Sequence, residues 1–141
     1  MKKNIVVLML AIFAGLSCTS QSLKVPVAVK TAFNTKYPNA VNVKWGKESA
    51  KEYEAEFKNG KVAIATNFSA DGSWVVTETT MTAADLPSAV SSAITSKYPG
   101  STFSLIEKVE KPGGKVYYET IIKVNGKKKE IEVNPDGSFV K

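Results

Sequence analysis

Residues 26–38 read PVAVKTAFNTKYP, and residues 87–99 read PSAVSSAITSKYP. The two stretches match at a constant offset of 61 residues, from the first proline to the closing Lys-Tyr-Pro. The sequence that follows each stretch also recurs, so the chain uses one unit twice. This repeat predicts the architecture, whereas function has to be argued from the side chains that the repeat exposes.

Each copy is predicted to form a short amphipathic helix. A proline in the first turn of a helix loses no hydrogen bond and already has a suitable φ, so Pro26 suits a helix start. The apolar residues after it recur at helical spacing: Val29, Ala32, Phe33 and Tyr37. Pro38 ends the helix, because the residue before a proline is pushed out of the α region. The second copy repeats this pattern with Val90, Ala93, Ile94 and Tyr98.

After each helix the apolar residues alternate with polar ones, which indicates strands with one buried and one solvated face. Four strands are predicted in each half: 41–45, 53–57, 62–68 and 74–79, then 103–109, 116–124, 127–133 and 138–140. Asn-Gly and Asp-Gly pairs separate most of them, as tight antiparallel turns require. The predicted fold is α+β, with two tandem repeats that each contain a helix plus a four-stranded antiparallel sheet.

The repeats also set the predicted domain boundaries, at residues 25–79 and 80–141. In the second half the offset grows to 65 or 66, since Asn59-Gly60 matches Asn125-Gly126. The extra residues fall in its first hairpin, so that loop is expected to be longer. About 60 residues make a marginal core, so we expect the halves to share contacts. The pattern does not decide whether the two sheets merge.

The first residues, 1–17, are predicted to be an export signal. Lys2 and Lys3 form a basic start, an apolar run follows from Ile5 to Phe13, and small residues precede Cys18. The run is short for a membrane-spanning helix, which needs about 20 apolar residues. Two alternatives stay open: acylation of Cys18 at a lipobox-like site, or ordinary cleavage a few residues later. Residues 18–24 then form a tether, and the protein is expected to be periplasmic or an outer-membrane-anchored lipoprotein.

The composition argues against several functional classes. There is no histidine, and the single cysteine lies at the export junction, so the usual general base and the commonest metal ligands are missing. All 19 basic residues are lysine, which removes the arginine fork that reads bases and phosphates. No nucleophile elbow, P-loop or dinucleotide motif occurs. We therefore predict no catalytic site, no cofactor, no metal and no nucleic-acid partner, with membrane contact only through an N-terminal lipid anchor.

A row of carboxylates keeps a second class open. Glu52, Glu54 and Glu56 alternate along one predicted strand and therefore lie on one face. Two carboxyl groups suffice for glycoside hydrolysis, so this face could serve a hydrolase or a polysaccharide binder. The simpler interpretation, which we favour, is a solvated face with Lys44 or Lys61 as cross-strand partners.

A difference between the repeats predicts a candidate interface. Aligning them buries Tyr118, Thr120 and Ile122, in the places of Tyr53, Ala55 and Phe57. Tyr117, Glu119 and Ile121 then point outward, and we expect Ile106 to join them. Exposed apolar groups clustered on a sheet mark an interface. The alternative is that the other repeat or the long hairpin loop covers this face.

The repeated helix ending in Lys-Tyr-Pro, and the closing Asp-Gly-Ser-aromatic, resemble the PepSY-like family of exported bacterial proteins. The most specific stretch runs from Leu86-Pro87 to Lys97-Tyr98-Pro99-Gly100. The family is also described as similar to the beta-lactamase inhibitory protein. The resemblance covers the chain from about Val25 to Lys141, and it implies a tandem α+β fold and an envelope location. It does not imply an enzyme, and it transfers no contact residues to this sequence.

Together these observations predict a non-catalytic exported binding module. Its partner is expected to be an unidentified protein or peptide of the cell envelope, held through a sheet face that includes Tyr117, Ile121, Ile106 and Glu119. The alternative is a carboxylate-based polysaccharide binder or hydrolase of the envelope. The sequence does not define the oligomeric state.

Overall fold

The computed structural model describes residues 23–140, so the predicted export signal, Cys18 and most of the tether lie outside the described residues. Two helices and seven strands follow one another, and we number each kind in chain order. They are α1 (Val27–Lys36), β1 (Val41–Lys47), β2 (Glu52–Asn59), β3 (Val62–Ser69), β4 (Trp74–Thr80), α2 (Ser88–Lys97), β5 (Thr102–Lys111), β6 (Lys115–Val124) and β7 (Lys127–Val133). Short 3₁₀ turns at Ala83–Asp85 and Pro112–Gly114 connect some of them.

All seven strands form one antiparallel sheet in chain order, from β1 to β7. The halves therefore merge, through the pairing of β4 with β5 that places Thr77 opposite Glu110 and Thr80 opposite Glu107. The α+β class is confirmed, whereas the prediction of four strands in each half is not. The eighth strand is reduced to a single bridge between Val133 and Phe139. The turn before it is closed by the Asn134 N–H, which donates to the Ser138 carbonyl at 2.8 Å, so Phe139 and Val140 alone remain to pair.

Both helices lie where the sequence predicts them. Pro26 and Pro87 precede their first turns, and each helix ends at a lysine that is followed by a capping tyrosine and a proline. The Tyr37 N–H donates to the Phe33 carbonyl at 2.8 Å, and the Tyr98 N–H donates to that of Ile94 at the same distance. The two repeats therefore share one helix geometry.

Two apolar cores fill the space between the helices and the sheet. The first comprises Val29, Phe33, Ala55, Phe57 and Phe68, and the second comprises Leu86, Val90, Ile94, Ile106, Tyr118, Ile122, Ile131 and Val133. In the first, the Phe33 ring stands edge-on to those of Trp45 and Phe57, with centroids 5.1 Å apart in each case. Such pairs add about 0.5–1.5 kcal/mol to the stability given by burial.

The motifs that define the repeat contact one another. Lys36 Nζ lies 4.1 Å from the centre of the Trp74 ring, and Lys97 Nζ lies 3.8 Å from that of Phe139. The lysine of Lys-Tyr-Pro thus stacks on the aromatic residue of Asp-Gly-Ser-aromatic in both halves, a contact of about 0.5–1 kcal/mol at exposed sites. These repeated residues therefore serve the fold, and function has to be sought elsewhere.

The second core contains a buried hydroxyl group, that of Thr120, whose substitution is expected to stabilise the protein. The Thr120 side chain is fully buried, and its Oγ1 has no hydrogen-bond partner in the described part of the chain. We expect Thr120→Val to raise the free energy of unfolding by about 1 kcal/mol, because it removes an unpaired polar group at nearly constant shape. Urea denaturation of both proteins measures the change.

Thr66→Val is the matched control, since Thr66 is equally buried but paired. Its Oγ1 donates to the Val76 carbonyl at 2.9 Å and lies 3.0 Å from Thr77 Oγ1. We expect this change to lower the free energy of unfolding by about 1 kcal/mol. Equal destabilisation by both substitutions would contradict the assignment of an unpaired hydroxyl at Thr120.

Candidate binding cavity on the open face of the sheet

The sheet face opposite the two helices, called the open face below, collects most of the acidic side chains. Strand alternation and register place on it Glu52, Glu54, Glu56, Asn67, Val76, Glu78, Glu107, Val109, Tyr117, Glu119, Ile121, Glu130 and Glu132. The apolar cluster on this side contains only strand residues and Val140, and neither helix contributes to it. The same register also places six lysines on this face: Lys44, Lys58, Lys111, Lys115, Lys123 and Lys128. The excess of carboxyl groups is therefore clearest at the cavity described below, whose lining has four glutamates and one lysine.

A bulge in β4 shapes the centre of the open face. Asn67 pairs with Val76, but the next residue, Phe68, pairs with Trp74, so Val75 is the extra residue. A bulge lets two successive side chains approach the same side of a strand. Val75 and Val76 accordingly line the same cavity.

That cavity has a volume of about 310 Å³. Its walls come from β2, β3, β4, β5 and β6 and from the residue after β1: Glu48, Glu52, Asn67, Val75, Val76, Glu78, Lys111, Tyr117 and Glu119. Apolar side chains provide part of the lining, and four carboxyl groups and one ammonium group provide most of the rest. A pocket with an apolar wall and a few converging polar groups is the usual form of a binding site.

Burial and mutual repulsion alter the acidity of these carboxyl groups. Burial, followed by the nearby carboxylates of Glu107 and Glu119, raises the pKa of Glu78 to about 8. Burial also raises the pKa of Glu119 to about 7, with repulsion from Glu130 as the next cause. Burial also raises the pKa of Glu107 above its ordinary value. Near neutral pH, the carboxyl groups of Glu78 and Glu119 are therefore expected to release protons when a positively charged group enters the cavity.

Asn67 is the most deeply buried polar residue of the cavity. Its side chain is 2% exposed, and its Oδ1 has no hydrogen-bond partner among residues 23–140. An unpaired buried acceptor costs about 1–3 kcal/mol, so natural proteins seldom retain one. Here the acceptor belongs to a residue that lines the cavity.

Lysine side chains flank this acidic centre without pairing to it. Lys111 Nζ lies 5.1 Å from the centre of the Tyr117 ring, and Lys115 Nζ lies 5.7 Å from it. Within residues 23–140 the one ion pair is between Lys108 and Glu110, at 3.0 Å. The cavity carboxylates thus have no ion-pair partner in the described part of the chain.

The predicted interface residues are divided between the two faces. Tyr117, Glu119 and Ile121 lie on the open face, and the first two line the cavity. Ile106 is 4% exposed and packs under α2, so the expectation that it joins them is wrong. The reason is a bulge in β5: Phe103 pairs with Ile122, but Leu105 pairs with Ile121, which shifts the alternation by one residue.

Tyr117 is also less exposed than expected. It is 6% exposed, because Val76 and Val109 pack beside it, with Val75 and Val140 at the edges. Its burial raises the pKa of the phenol above its ordinary value. The alternative that the other half covers this position is therefore partly correct, since β4 supplies two of the covering residues.

The acidic row predicted on β2 meets this cavity at one end. Glu52 lines it, whereas Glu56 is exposed and lies opposite Lys44 in the register. The expected ion pair with Lys44 or Lys61 is not formed within the described residues. Burial, and then repulsion from Glu48 and Glu56, raises the pKa of Glu54.

Sequence reasoning missed Asn67, Glu78 and Glu107. Each of these residues lies in a strand that the sequence predicts. The three side chains come close together only because of the bulge in β4 and the pairing of β4 with β5. Glu78 lies two residues after Val76 in β4, so strand alternation places both side chains on the same face of the sheet. This alternation is the one local signal that could have identified Glu78. No local pattern indicates that β5 and β6 from the second half complete the cavity.

Comparison with known proteins places this fold in a family. Residues 21–66 and 51–141 match the family described as "Putative beta-lactamase-inhibitor-like, PepSY-like". The chain belongs to this family. The resemblance inferred from the Lys-Tyr-Pro and Asp-Gly-Ser-aromatic motifs is confirmed.

Solved structures from Bacteroides show the same PepSY-like fold. A BLIP-like protein from Bacteroides fragilis is 24% identical, with a TM-score of 0.76 and 86% of each chain covered. A DUF2874 family protein from Bacteroides ovatus is 23% identical, with a TM-score of 0.77, over 85% of this chain and 87% of that chain. A Bacteroides eggerthii structure described as "putative periplasmic proteins" is 21% identical, with a TM-score of 0.78, over 84% and 88%.

One further comparison and two findings on the described residues complete this description. No curated protein matches this member of the PepSY-like family. Among residues 23–140, neither helix has the length and apolar character needed to cross a membrane. No group of three or more His, Cys, Asp or Glu side chains in this same range is arranged to hold a metal ion.

Proposed function

We propose that this protein is an exported, non-catalytic binding module that contacts a protein or peptide of the cell envelope through the open face. The observation that carries the proposal is the cavity at the centre of that face, which combines the apolar side chains of Val75, Val76 and Tyr117 with carboxyl groups that form no ion pair within residues 23–140. A periplasmic description of one structural relative and the BLIP-like description of another support the location and the type of function.

The open face suits a partner better than it suits solvent. The buried Glu78 and Glu107 are 7% and 6% exposed, and the apolar cluster of Val76, Val109 and Tyr117 lies among them. Interfaces combine such an apolar centre with a polar rim. Exposed Glu56 and Glu130 form part of the rim here.

Affinity capture from envelope extract with paired variants tests the proposal. Ile121→Arg places a bulky charge on the half-exposed part of the open face, and Thr31→Arg places the same group on the exposed surface of α1. We expect a stoichiometric partner to be captured by the wild type and by Thr31→Arg. Capture by Ile121→Arg should fall by about tenfold or more, because a bulky charge would stand within the proposed contact surface. A partner that Ile121→Arg retains in full would overturn the choice of surface.

A carboxylate-based polysaccharide binder or hydrolase is the second candidate. One observation favours it: Glu78 and Glu119 line one cavity, and burial raises the pKa of both carboxyl groups into the range where a general acid operates. Glycan turnover or retention on a glycan array that disappears in Glu78→Gln would favour this candidate over the binding module. Turnover unaffected by that substitution would exclude the Glu78 carboxyl group from the reaction.

A further inference from the structure

We infer that two copies of this protein pair through β1, with the two strands antiparallel and a two-fold axis at Gly46. The inference goes beyond the proposed function, since it concerns an edge of the sheet rather than the cavity of the open face. Three features carry it: the unpaired backbone groups of β1, a glycine within that strand, and side chains that complement one another across the axis.

β1 is an edge strand whose outer backbone groups have no neighbouring strand. The Glu48 N–H donates to the Glu52 carbonyl at 3.1 Å, which fixes the phase of hydrogen bonding between β1 and β2. In an antiparallel pair, residues that bond to the neighbouring strand alternate with residues whose N–H and C=O groups point away from it. Trp45 and Lys47 therefore direct these groups outward, and β2 is the one strand beside β1 in the described part of the chain.

The opposite edge of the sheet, β7, is protected in two ways. The Val140 N–H donates to the Glu132 carbonyl at 3.0 Å, and Phe139 forms a bridge with Val133, so the end of the chain covers part of this strand. The remaining part begins with three consecutive lysines, residues 127–129. Charged residues of this kind are a common means of blocking an edge strand. β1 is therefore the edge that is better suited to a second copy.

Gly46 is the position at which the two backbones approach each other. The bulge in β1 lies between Val41 and Lys44, so the segment from Lys44 onward is regular and can pair. With Gly46 opposite its own equivalent, Trp45 of each copy stands opposite Lys47 of the other, and their outward backbone groups form hydrogen bonds. A glycine within a strand often marks a site where another backbone approaches closely.

This register brings opposite charges together on the open face. Lys44 and Glu48 lie on the same face of β1 as Gly46, two residues before it and two residues after it. Across the axis, Lys44 of each copy therefore stands opposite Glu48 of the other. Neither side chain has an ion-pair partner within residues 23–140. Opposite charges on neighbouring strands stabilise their pairing, so the charges of β1 favour a second copy of itself.

On the other face the register extends the edge of the first core. Trp45 packs against this core but is half-buried, because it lies on the outermost strand. Lys47 lies on the same face, with its Nζ 5.7 Å from the centre of the Tyr53 ring. Across the axis it would lie beside Trp45 of the second copy, and a lysine over a tryptophan ring is the most favourable of the cation–π pairs. Pairing thus covers an aromatic side chain at the sheet edge.

Sedimentation equilibrium from about 1 μM to about 1 mM tests the inference on the protein purified from the cell envelope. We expect dimers to form within this range, and a wild-type protein that stays monomeric throughout would overturn the inference.

Gly46→Lys should weaken the dimer by about tenfold or more, because it places two lysines opposite each other at the axis. In a single copy the new lysine lies opposite Glu54, and a Cβ at this position is 3.7 Å from Glu54 Oε2, an ordinary contact distance. The folded chain is therefore expected to accommodate it, which circular dichroism and urea denaturation check. A dimer that Gly46→Lys leaves unchanged would overturn the inference.

A charge exchange tests the register. Lys44→Glu should weaken the dimer by about tenfold, because the new carboxylate faces Glu48 of the second copy. Adding Glu48→Lys to the same chain should restore the affinity to within about threefold of the wild type. A double variant no tighter than Lys44→Glu alone would overturn the inference.

Glu130→Lys is the control at the other edge of the sheet. It places a lysine at an exposed position of β7, as Gly46→Lys does in β1. We expect it to change the dimer affinity by less than about twofold, because β7 lies outside the proposed contact. A loss as large as that of Gly46→Lys would move the contact to β7 and overturn the inference.

Discussion

Replacing Gly72 by alanine is expected to lower the free energy of unfolding by about 3 kcal/mol. Gly72 has φ +89°, and a Cβ there would lie 2.8 Å from the carbonyl oxygen of Ala28 in α1. The substitution therefore combines backbone strain with a clash against helix backbone, which cannot move as a flexible side chain would. Gly137 is in the same situation, with a Cβ position 2.7 Å from the Ala89 carbonyl oxygen.

Gly60→Ala is the matched control. Gly60 also has positive φ, +63°, but a Cβ there would meet nothing within 4 Å. Its cost should be confined to the backbone, about 1 kcal/mol. Chemical denaturation of the three proteins separates the two contributions. If Gly72→Ala cost no more than Gly60→Ala, the close approach of turn and helix would not explain why Asp-Gly-Ser recurs in both halves.

The protein is expected to lose stability as the pH rises from about 5 to about 9, chiefly through Glu78. Its folded pKa of about 8 exceeds the ordinary value of 4.5, so the folded state holds a proton that the unfolded state releases. Below pH 4.5 both states are protonated and the group contributes nothing. Above pH 8 the full penalty applies, and within this window the free energy of unfolding falls.

Glu78→Gln should remove most of this dependence. We expect it to raise the free energy of unfolding by about 2 kcal/mol at pH 9 and to have little effect at pH 5. The groups that raise the pKa of Glu78 after its burial are Glu107, Glu119, Glu54 and Glu48, and Lys111 lines the same cavity. Glu119, with a pKa of about 7, contributes a smaller loss of the same sign.

Urea denaturation at pH 5, 7 and 9 measures the effect, with Glu56→Gln as the control. Glu56 is exposed, so its substitution should leave the pH profile of the wild type within about 0.5 kcal/mol. A Glu78→Gln protein with the slope of the wild type would mean that another group causes the pH dependence. The pKa of Asp71 is lowered by hydrogen bonds from Ser73, so its effect appears only at lower pH and has the opposite sign.

Local features of the fold were predictable because local chemistry determines them. Proline before each helix and Tyr-Pro at its end define α1 and α2, and Asn59-Gly60 and Asn125-Gly126 mark hairpins because their glycines adopt positive φ. The merging of the halves was not predictable in this way. It depends on pairing β4 with β5 across the connection that contains α2, and no local signal indicates that pairing.

The candidate site was predictable only in part, for the same reason. Comparing the repeats drew attention to Tyr117 and Glu119, which line the cavity. It misplaced Ile106, because a bulge in β5 reverses the alternation there, and it missed Asn67 and Glu78. Whether a glutamate is solvated or buried in a cavity depends on which strands lie beside it, and that information is not local.

Site-specific photo-crosslinking in the envelope of intact cells tests the central proposal, that the open face is the binding surface. A photoreactive phenylalanine replaces Ile121 on the open face in one protein and Thr31 on the exposed surface of α1 in another. The account predicts a discrete crosslinked product from position 121 and none from position 31. A product from position 31 alone would contradict the account and would move the binding surface to the helices.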